Sequence, residues 1–364
     1  MTTPDAPVPG PGILTIAPYV AGESATEGAN TVTKLSANEN PHGPSEKARD
    51  AVRRVAEEMQ LYPESDHLGL RSAIGEVHGL DPARIVCGAG SDELISLLCN
   101  AYAGQGREVI YTEHGFAMYP ISALASGATP VKVAECARHA DVAAILAAVT
   151  EATGIVFLAN PNNPTGTMVS DTALKTLAEG LPRHVMLVLD GAYAEYVPGY
   201  DGGAALVDAH PNVVMTRTFS KLYGLGGLRV GWMYAQPGII DVMNRMRGPF
   251  NVSSAGLAAA EAAMRDRAWV EHCRMENETW RAFLTEELRA IGLPTDDSQA
   301  NFVLPEFPSE AMAKAADARL RAHGIIVRAV GGYGLPRHLR ITVGDEVACR
   351  RVVAILKEFM EQPA

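Results

Sequence analysis

The runs "RIVCG", "REVIYT", "TPVKVAE", "GIVFLAN", "HVMLVLD" and "NVVMTRT" constrain this chain more than any other feature. Each is short and rich in Val, Ile and Leu, and helical stretches such as "DELISLLCNAYA", "DVAAILAAVTEA" and "DTALKTLAEGL" separate most of them. A strand that is apolar at consecutive positions has two faces to bury rather than one. Intervening helices supply that cover and return the chain so that successive strands run parallel. An α/β fold with a mostly parallel sheet between helices is therefore predicted. Sheets of this kind bind ligands beyond the carboxyl ends of their strands. The polar residues at the strand exits are thus the first candidates for function.

The 364 residues exceed one ordinary core and suggest about two domains. The Pro-, Gly- and Thr-rich beginning reads as an arm over 1–43 that can pack on the C-terminal unit. "PSEKARDAVRRVAEEMQL" then predicts a helix capped by Ser45, with a second helix around Leu68–Val77. A large domain is expected over 44–250. After about Gly231 the pattern changes. Long helices over roughly Ala255–Ala290, short strands at "NFVL", "GIIVRA" and "LRITV", and a last helix in "EVACRRVVAILKEFM" predict a smaller α+β domain over 251–364.

No apolar run approaches the roughly 20 residues of a membrane span. The start, "MTTPDAPVPGPG", carries no basic segment followed by an apolar one, so a secretory signal is not expected. The five cysteines are scattered and no pair has metal-ligand spacing, which fits a reducing cytoplasm and no metal. A net charge of −11 without a Lys/Arg stripe argues against nucleic acid as a partner.

Four strand exits carry polar residues. "RIVCGAGSDEL" places Ser91, Asp92 and Glu93 at a helix start, where they serve either as ordinary caps or as part of a phosphate site. "IVFLANPNNPTG" ends in asparagines, and Asn163 is either turn chemistry or a ligand amide. "HVMLVLDGAYAEY" delivers Asp190 from a buried strand, with Tyr193 three residues on. A buried carboxylate needs a cation or donors, although an aspartate here can also cap the next element. The fourth exit, "TRTFSKLYGLGGLRVGW", gathers Thr218, Ser220, Lys221 and Arg229 among glycines. An aldehyde cofactor with a phosphate tail accounts for all of these parts. Lys221 would bond the aldehyde, Ser220, Thr218 and Arg229 would hold the phosphate, and Asp190 would face a pyridinium nitrogen. Those are the requirements of pyridoxal 5'-phosphate.

With "ANENPHGPS", "YPES", "GSDEL", "NPNNPTG", "DGAY", "TFSKLYGLGGLRVG" and "LRITVG" in this order, the chain resembles the fold-type I pyridoxal-phosphate aminotransferases, and among them the histidinol-phosphate aminotransferase family. The resemblance implies the cofactor lysine at Lys221, the pyridine partner at Asp190, and Tyr193 and Asn163 on the cofactor's phenolic oxygen. It implies Ser91, Asp92, Ser220 and Arg229 around the phosphate, the first two partly through backbone N–H groups, and Phe116 on the ring face. It further implies a homodimer in which Tyr62 reaches the neighbouring subunit's cofactor. For substrate it implies Arg340 on an α-carboxylate, Arg328 on a phosphate, and Tyr19, Asn40 and Asn301 lining the pocket. One departure is "EHG" before Phe116, where a proline-rich lead-in is common in the family.

The expected reaction is amino-group transfer between L-histidinol phosphate and 2-oxoglutarate, giving imidazole-acetol phosphate and L-glutamate, in histidine biosynthesis. The alternatives are an aromatic (Phe or Tyr) aminotransferase and a phosphothreonine decarboxylase-like lyase. A non-enzymatic regulator of this fold would carry a DNA-binding domain, for which the residues before Leu35 are too few.

Overall fold

The structure, a computed structural model, describes residues 7–17 and 32–361. Its centre is a seven-stranded sheet built from β2 (Ile85–Gly88), β3 (Glu108–Thr112), β4 (Thr129–Val133), β7 (Thr153–Ala159), β8 (Met186–Asp190), β9 (Val213–Thr218) and β10 (Gly231–Tyr234). Their order across the sheet is β2-β10-β9-β8-β7-β3-β4. The pairs β4–β3, β3–β7, β7–β8 and β8–β9 are parallel, while β10 runs antiparallel to both of its neighbours. The predicted parallel sheet is present, but β10 was not anticipated. "GWMY" is too short to show a period, and it falls where the sequence pattern changes.

The period-2 alternation of each strand divides the core in two. Leu187 and Leu189 of β8 and Val213 and Met215 of β9 pack with Leu70 and Ile74 of α2 (Leu68–His78) and Ala259 and Ala263 of α9 (Ser254–Arg265). Val188 and Val214 pack on the other face, with Leu94 and Leu98 of α3 (Ser91–Tyr102) and Tyr119 of α4 (Met118–Ala125). Each Leu, Ile, Val or Met side chain so buried contributes about 1.5–3 kcal/mol. The first predicted helix is α1 (Glu46–Val55), shorter than its sequence pattern, and Ser45 caps it by accepting from the Ala48 amide at 3.2 Å.

A second core lies toward the C-terminus. The antiparallel strands β11 (Phe302–Val303), β14 (Leu339–Thr342) and β13 (Arg328–Ala329) form a three-stranded sheet in that order. It is covered by α10 (Arg267–Ala290), α11 (Glu310–Ala322) and α12 (Glu346–Glu361), through Leu288, Leu320 and Val352 among others. The short strand β1 (Thr33–Lys34) pairs in parallel with β12 (Ile325–Ile326). The segment that follows β1 thereby leaves the smaller unit and enters the space between the two cores.

Candidate active site

The carboxyl ends of β2, β3, β7, β8 and β9 open on one edge of the sheet. Antiparallel β10 begins at that same edge, with Gly231 opposite Thr218, so the loop leaving Thr218 returns Arg229 to where it started. Ser91, Asp92, Phe116, Tyr119, Asn163, Asp190, Tyr193, Thr218, Ser220, Lys221 and Arg229 line one cleft there, with about 570 Å³ of space free of protein atoms. Residues far apart in sequence are neighbours because their strands are.

One end of the cleft suits an anion. The residue before α3 is Gly90, at φ 84°, and no side chain caps the helix. Its leading N–H groups are therefore available to another acceptor, and the helix dipole favours a negative one. Arg229 Nη1 donates to Ser220 Oγ at 3.1 Å, and Nη2 donates to Asp92 Oδ2 at 3.2 Å. Thr218 Oγ1 accepts from the Ser220 amide at 3.1 Å and so fixes the loop. A Cβ on Gly90 would lie 2.4 Å from Arg229, and one on Gly231 would lie 2.3 Å from the Ser91 nitrogen. The cradle exists only because both positions are glycine.

The middle of the cleft holds a buried carboxylate. Tyr119 donates to Asp190 Oδ2 at 2.7 Å, while Thr216 Oγ1 and the Ala192 amide donate to Oδ1 at 3.3 and 3.2 Å. All of these donors are neutral, and burial pushes the Asp190 carboxyl up from 3.8 to about 6 despite the Tyr119 bond. A carboxylate so placed is stabilised by a cation arriving from the cleft.

Beside it stands Lys221, whose Nζ donates to the Ala37 carbonyl at 3.3 Å. Burial, and then the Arg340 charge, push this amine down to about 8. Tyr193 is buried edge-on to Phe302, and its hydroxyl accepts from Asn38 Nδ2 at 2.8 Å, which leaves its own proton to donate elsewhere. Burial raises this phenol to about 12, against the opposing pull of Arg340. Buried Arg340 donates to Asn163 Oδ1 at 2.5 Å and to the Ser36 carbonyl at 2.7 Å. That bond turns the Asn163 carbonyl toward Arg340 and its NH₂ the other way.

Other expected residues lie outside the cleft. Glu93 is turned away from it, accepting from the Ala89 amide at 2.6 Å and from Asn251 Nδ2 at 2.7 Å; it braces the glycine loop instead of lining the site. Asn40 is spent on backbone groups, donating to the Leu222 carbonyl and accepting from the His42 amide, and it faces a separate small pocket beside Cys273. Asn301 is buried and donates to the Asn38 carbonyl at 3.0 Å, so it supports the segment that reaches Tyr193. Arg328 sits opposite Arg340 in the β13–β14 register and is not among the cleft-lining side chains. Tyr62 is 81% exposed and stacks on Phe250, away from this chain's own cleft. Tyr19 lies outside the described residues.

Two residues with close contacts here were missed from sequence. Tyr119 follows Phe116 by nearly one helical turn, a spacing that puts both on one side. Asn38 stands inside "ANENPHGPS", but nothing local marks it as a partner of Tyr193. Its positive φ of 56° is the kind of backbone an asparagine tolerates.

Known proteins are similar to the chain along nearly its whole length. Residues 30–356 match the family model of class I and II aminotransferases. The chain is 61% identical to a histidinol-phosphate aminotransferase of Dinoroseobacter shibae, over 98% of this chain and 99% of that one. It is 58% identical to one of a Ruegeria species, over 96% and 97%. A crystal structure of histidinol-phosphate aminotransferase from Sinorhizobium meliloti, in complex with pyridoxal-5'-phosphate, superimposes with a TM-score of 0.87 at 29% identity, covering 92% of each chain.

Proposed function

The chain belongs to the class I and II aminotransferases, within them to the histidinol-phosphate aminotransferases, and on that premise we propose that it moves an amino group between L-histidinol phosphate and 2-oxoglutarate with pyridoxal 5'-phosphate as cofactor. The observation that carries the reading is one cleft holding three complementary parts. They are an uncapped helix start with Arg229, a buried carboxylate with only neutral donors, and an amine pushed down to about 8. They fit the phosphate, the ring nitrogen and the aldehyde of that cofactor.

Bound there, the cofactor supplies a carbonyl that takes up the amino group and a ring that draws electrons from the substrate carbon. The remaining work falls to the chain. Ser91, Asp92, Ser220 and Arg229 hold the phosphate. Asp190 keeps a proton on the ring nitrogen, which a buried carboxylate favours strongly. Tyr193 donates to the phenolic oxygen, because its own oxygen already accepts from Asn38. Lys221 Nζ takes a proton from the substrate carbon and returns one. In the cofactor-free chain burial and the Arg340 charge already push this amine down to about 8, which favours its neutral form more than in an ordinary lysine. Arg340 receives the α-carboxylate of glutamate, and Arg328 the phosphate of histidinol phosphate.

We further propose a homodimer. Met59, Leu61, Tyr62, Leu68, Met246 and Phe250 are all exposed. The Tyr62–Phe250 stack, together with the bond from Arg247 to the Ser65 carbonyl, joins the two segments that carry them. Such a patch is expected at a subunit contact, and the family resemblance implies that Tyr62 then serves the neighbouring cleft. Cytoplasmic residence is proposed from the free thiols of all five cysteines. Among the described residues no helix is long and apolar enough to cross a membrane.

A donor panel with 2-oxoglutarate tests the reaction. Histidinol phosphate should give the highest kcat/KM among itself, tyrosine, phenylalanine and aspartate. A higher value for phenylalanine or tyrosine, or release of CO₂ from O-phosphothreonine, would refute the reading.

A further inference from the structure

We propose that His114, in the "EHG" segment before Phe116, is a specificity-determining positioning residue that fixes the rim of the substrate pocket on the side of Arg328. The inference rests on the donor reading above.

His114 lies in a tight turn at the exit of β3, where the Gly115 amide donates to the Thr112 carbonyl at 2.8 Å. A reciprocal pair of bonds stiffens this turn. The His114 amide donates to Glu135 Oε1 at 3.2 Å, and the Glu135 amide donates to Glu113 Oε2 at 3.3 Å. The imidazole is buried and crosses to the smaller unit, where Nδ1 stands 2.6 Å from the Tyr333 carbonyl oxygen. A carbonyl can only accept, so Nδ1 carries the proton and the tautomer is fixed. The ring also lies against Gly334, at φ 77°, where an added Cβ would be 3.6 Å from the imidazole. "EHG" and "GGYG" are therefore complementary in shape as well as in hydrogen bonding.

The loop that His114 grips begins one residue after β13, the strand of Arg328. It closes on itself through bonds from the Tyr333 and Leu335 amides to the Val330 carbonyl, at 2.9 and 3.4 Å, over a small cluster of Leu304, Val330 and Leu335. That makes it a compact unit whose place against the larger core, across from Glu113, Gly115 and Ala117, depends on an external tie. His114 supplies one from the same turn that sends Phe116 into the cleft two residues later. Arg340 is anchored independently, by Asn163 and the Ser36 carbonyl. The two units also stay joined without His114, since Arg138 pairs with Asp296 at 2.5 and 2.9 Å. Loss of the imidazole should thus loosen the Arg328 side of the pocket and spare the Arg340 side.

The test compares His114→Ala, His114→Asn and His114→Gln in the cofactor-loaded enzyme. The Asn side chain puts an amide N–H where Nδ1 stood; the Gln amide falls one bond too far. In His114→Ala, amide hydrogen exchange over 330–335 should quicken. KM for histidinol phosphate should rise about tenfold, the size of one lost hydrogen bond. The kcat should stay within about threefold, and the glutamate half-reaction should hold within about twofold. Asn should restore both exchange and KM, and Gln neither. Unchanged exchange in the Ala variant, a failure of Asn to restore it, or equal losses in both half-reactions would overturn the proposal. Should wild-type enzyme prefer another donor, the donor reading fails instead, and hydrogen exchange over 330–335 in the three variants still decides whether His114 holds the loop.

Discussion

Asp190→Asn should make the cofactor-free protein more stable at neutral pH while disabling the loaded enzyme. In the unfolded chain this carboxyl ionises near 3.8, and in the fold near 6, because burial outweighs the bonds from Tyr119, Thr216 and Ala192. The folded protein therefore holds the extra proton between those values. Its stability falls as pH rises through that window and is flat above it. At about 1.4 kcal/mol for each pH unit between the two values, the cost at pH 7 is about 3 kcal/mol. Asparagine keeps the shape and carries no charge. Its Oδ1 can accept from Thr216 and Ala192, and its NH₂ can donate to the Tyr119 oxygen. Urea denaturation of apo wild type and apo variant should thus give equal free energies near pH 4 and a variant advantage of about 2–3 kcal/mol at pH 7.5. Cofactor should reverse the order at pH 7.5, because the cation it brings is stabilised by the carboxylate and not by the amide. A variant less stable than wild type at pH 7.5 without cofactor, or an advantage that does not vary with pH, would show that Asp190 is not a carboxylate strained by burial.

The arginines separate the two substrates. Arg328→Ala should cost the histidinol phosphate half-reaction about 2–4 kcal/mol, or roughly 30- to 1000-fold in kcat/KM, and phenylalanine much less; equal losses in single-turnover kinetics would make this arginine structural. Arg340→Ala should instead impair glutamate and phenylalanine together, since each presents an α-carboxylate, and a loss confined to histidinol phosphate would contradict the assignment. For the dimer, mixing Lys221→Ala with Tyr62→Phe should raise activity above either parent, toward about a quarter of wild type, because half of the randomly paired dimers hold one intact site. Activity that never exceeds the better parent would remove Tyr62 from the neighbouring cleft.

The sheet and the residue types at its edge are legible in the chain's own pattern. Consecutive apolar positions in "HVMLVLD" demand cover on both faces whatever the neighbours are, so Asp190 had to emerge from a buried strand. The glycines, hydroxyls and single amine of "TFSKLYGLGGLRVG" state the needs of a phosphate and an aldehyde within one loop, since the strand and its return fix their spacing. What depends on how separate segments meet is visible only in the folded chain. The antiparallel return of β10 is set by pairing with β2 and β9, which no local period reveals. Glu93 and Asn40 have the right residue type and neighbourhood, yet their side chains satisfy nearby backbone amides and carbonyls, a competition settled only by geometry. Tyr119 meets Asp190, Asn38 meets Tyr193, and His114 meets Tyr333 across long stretches of chain. A hydrogen bond depends on distance and direction in space, and sequence separation carries neither.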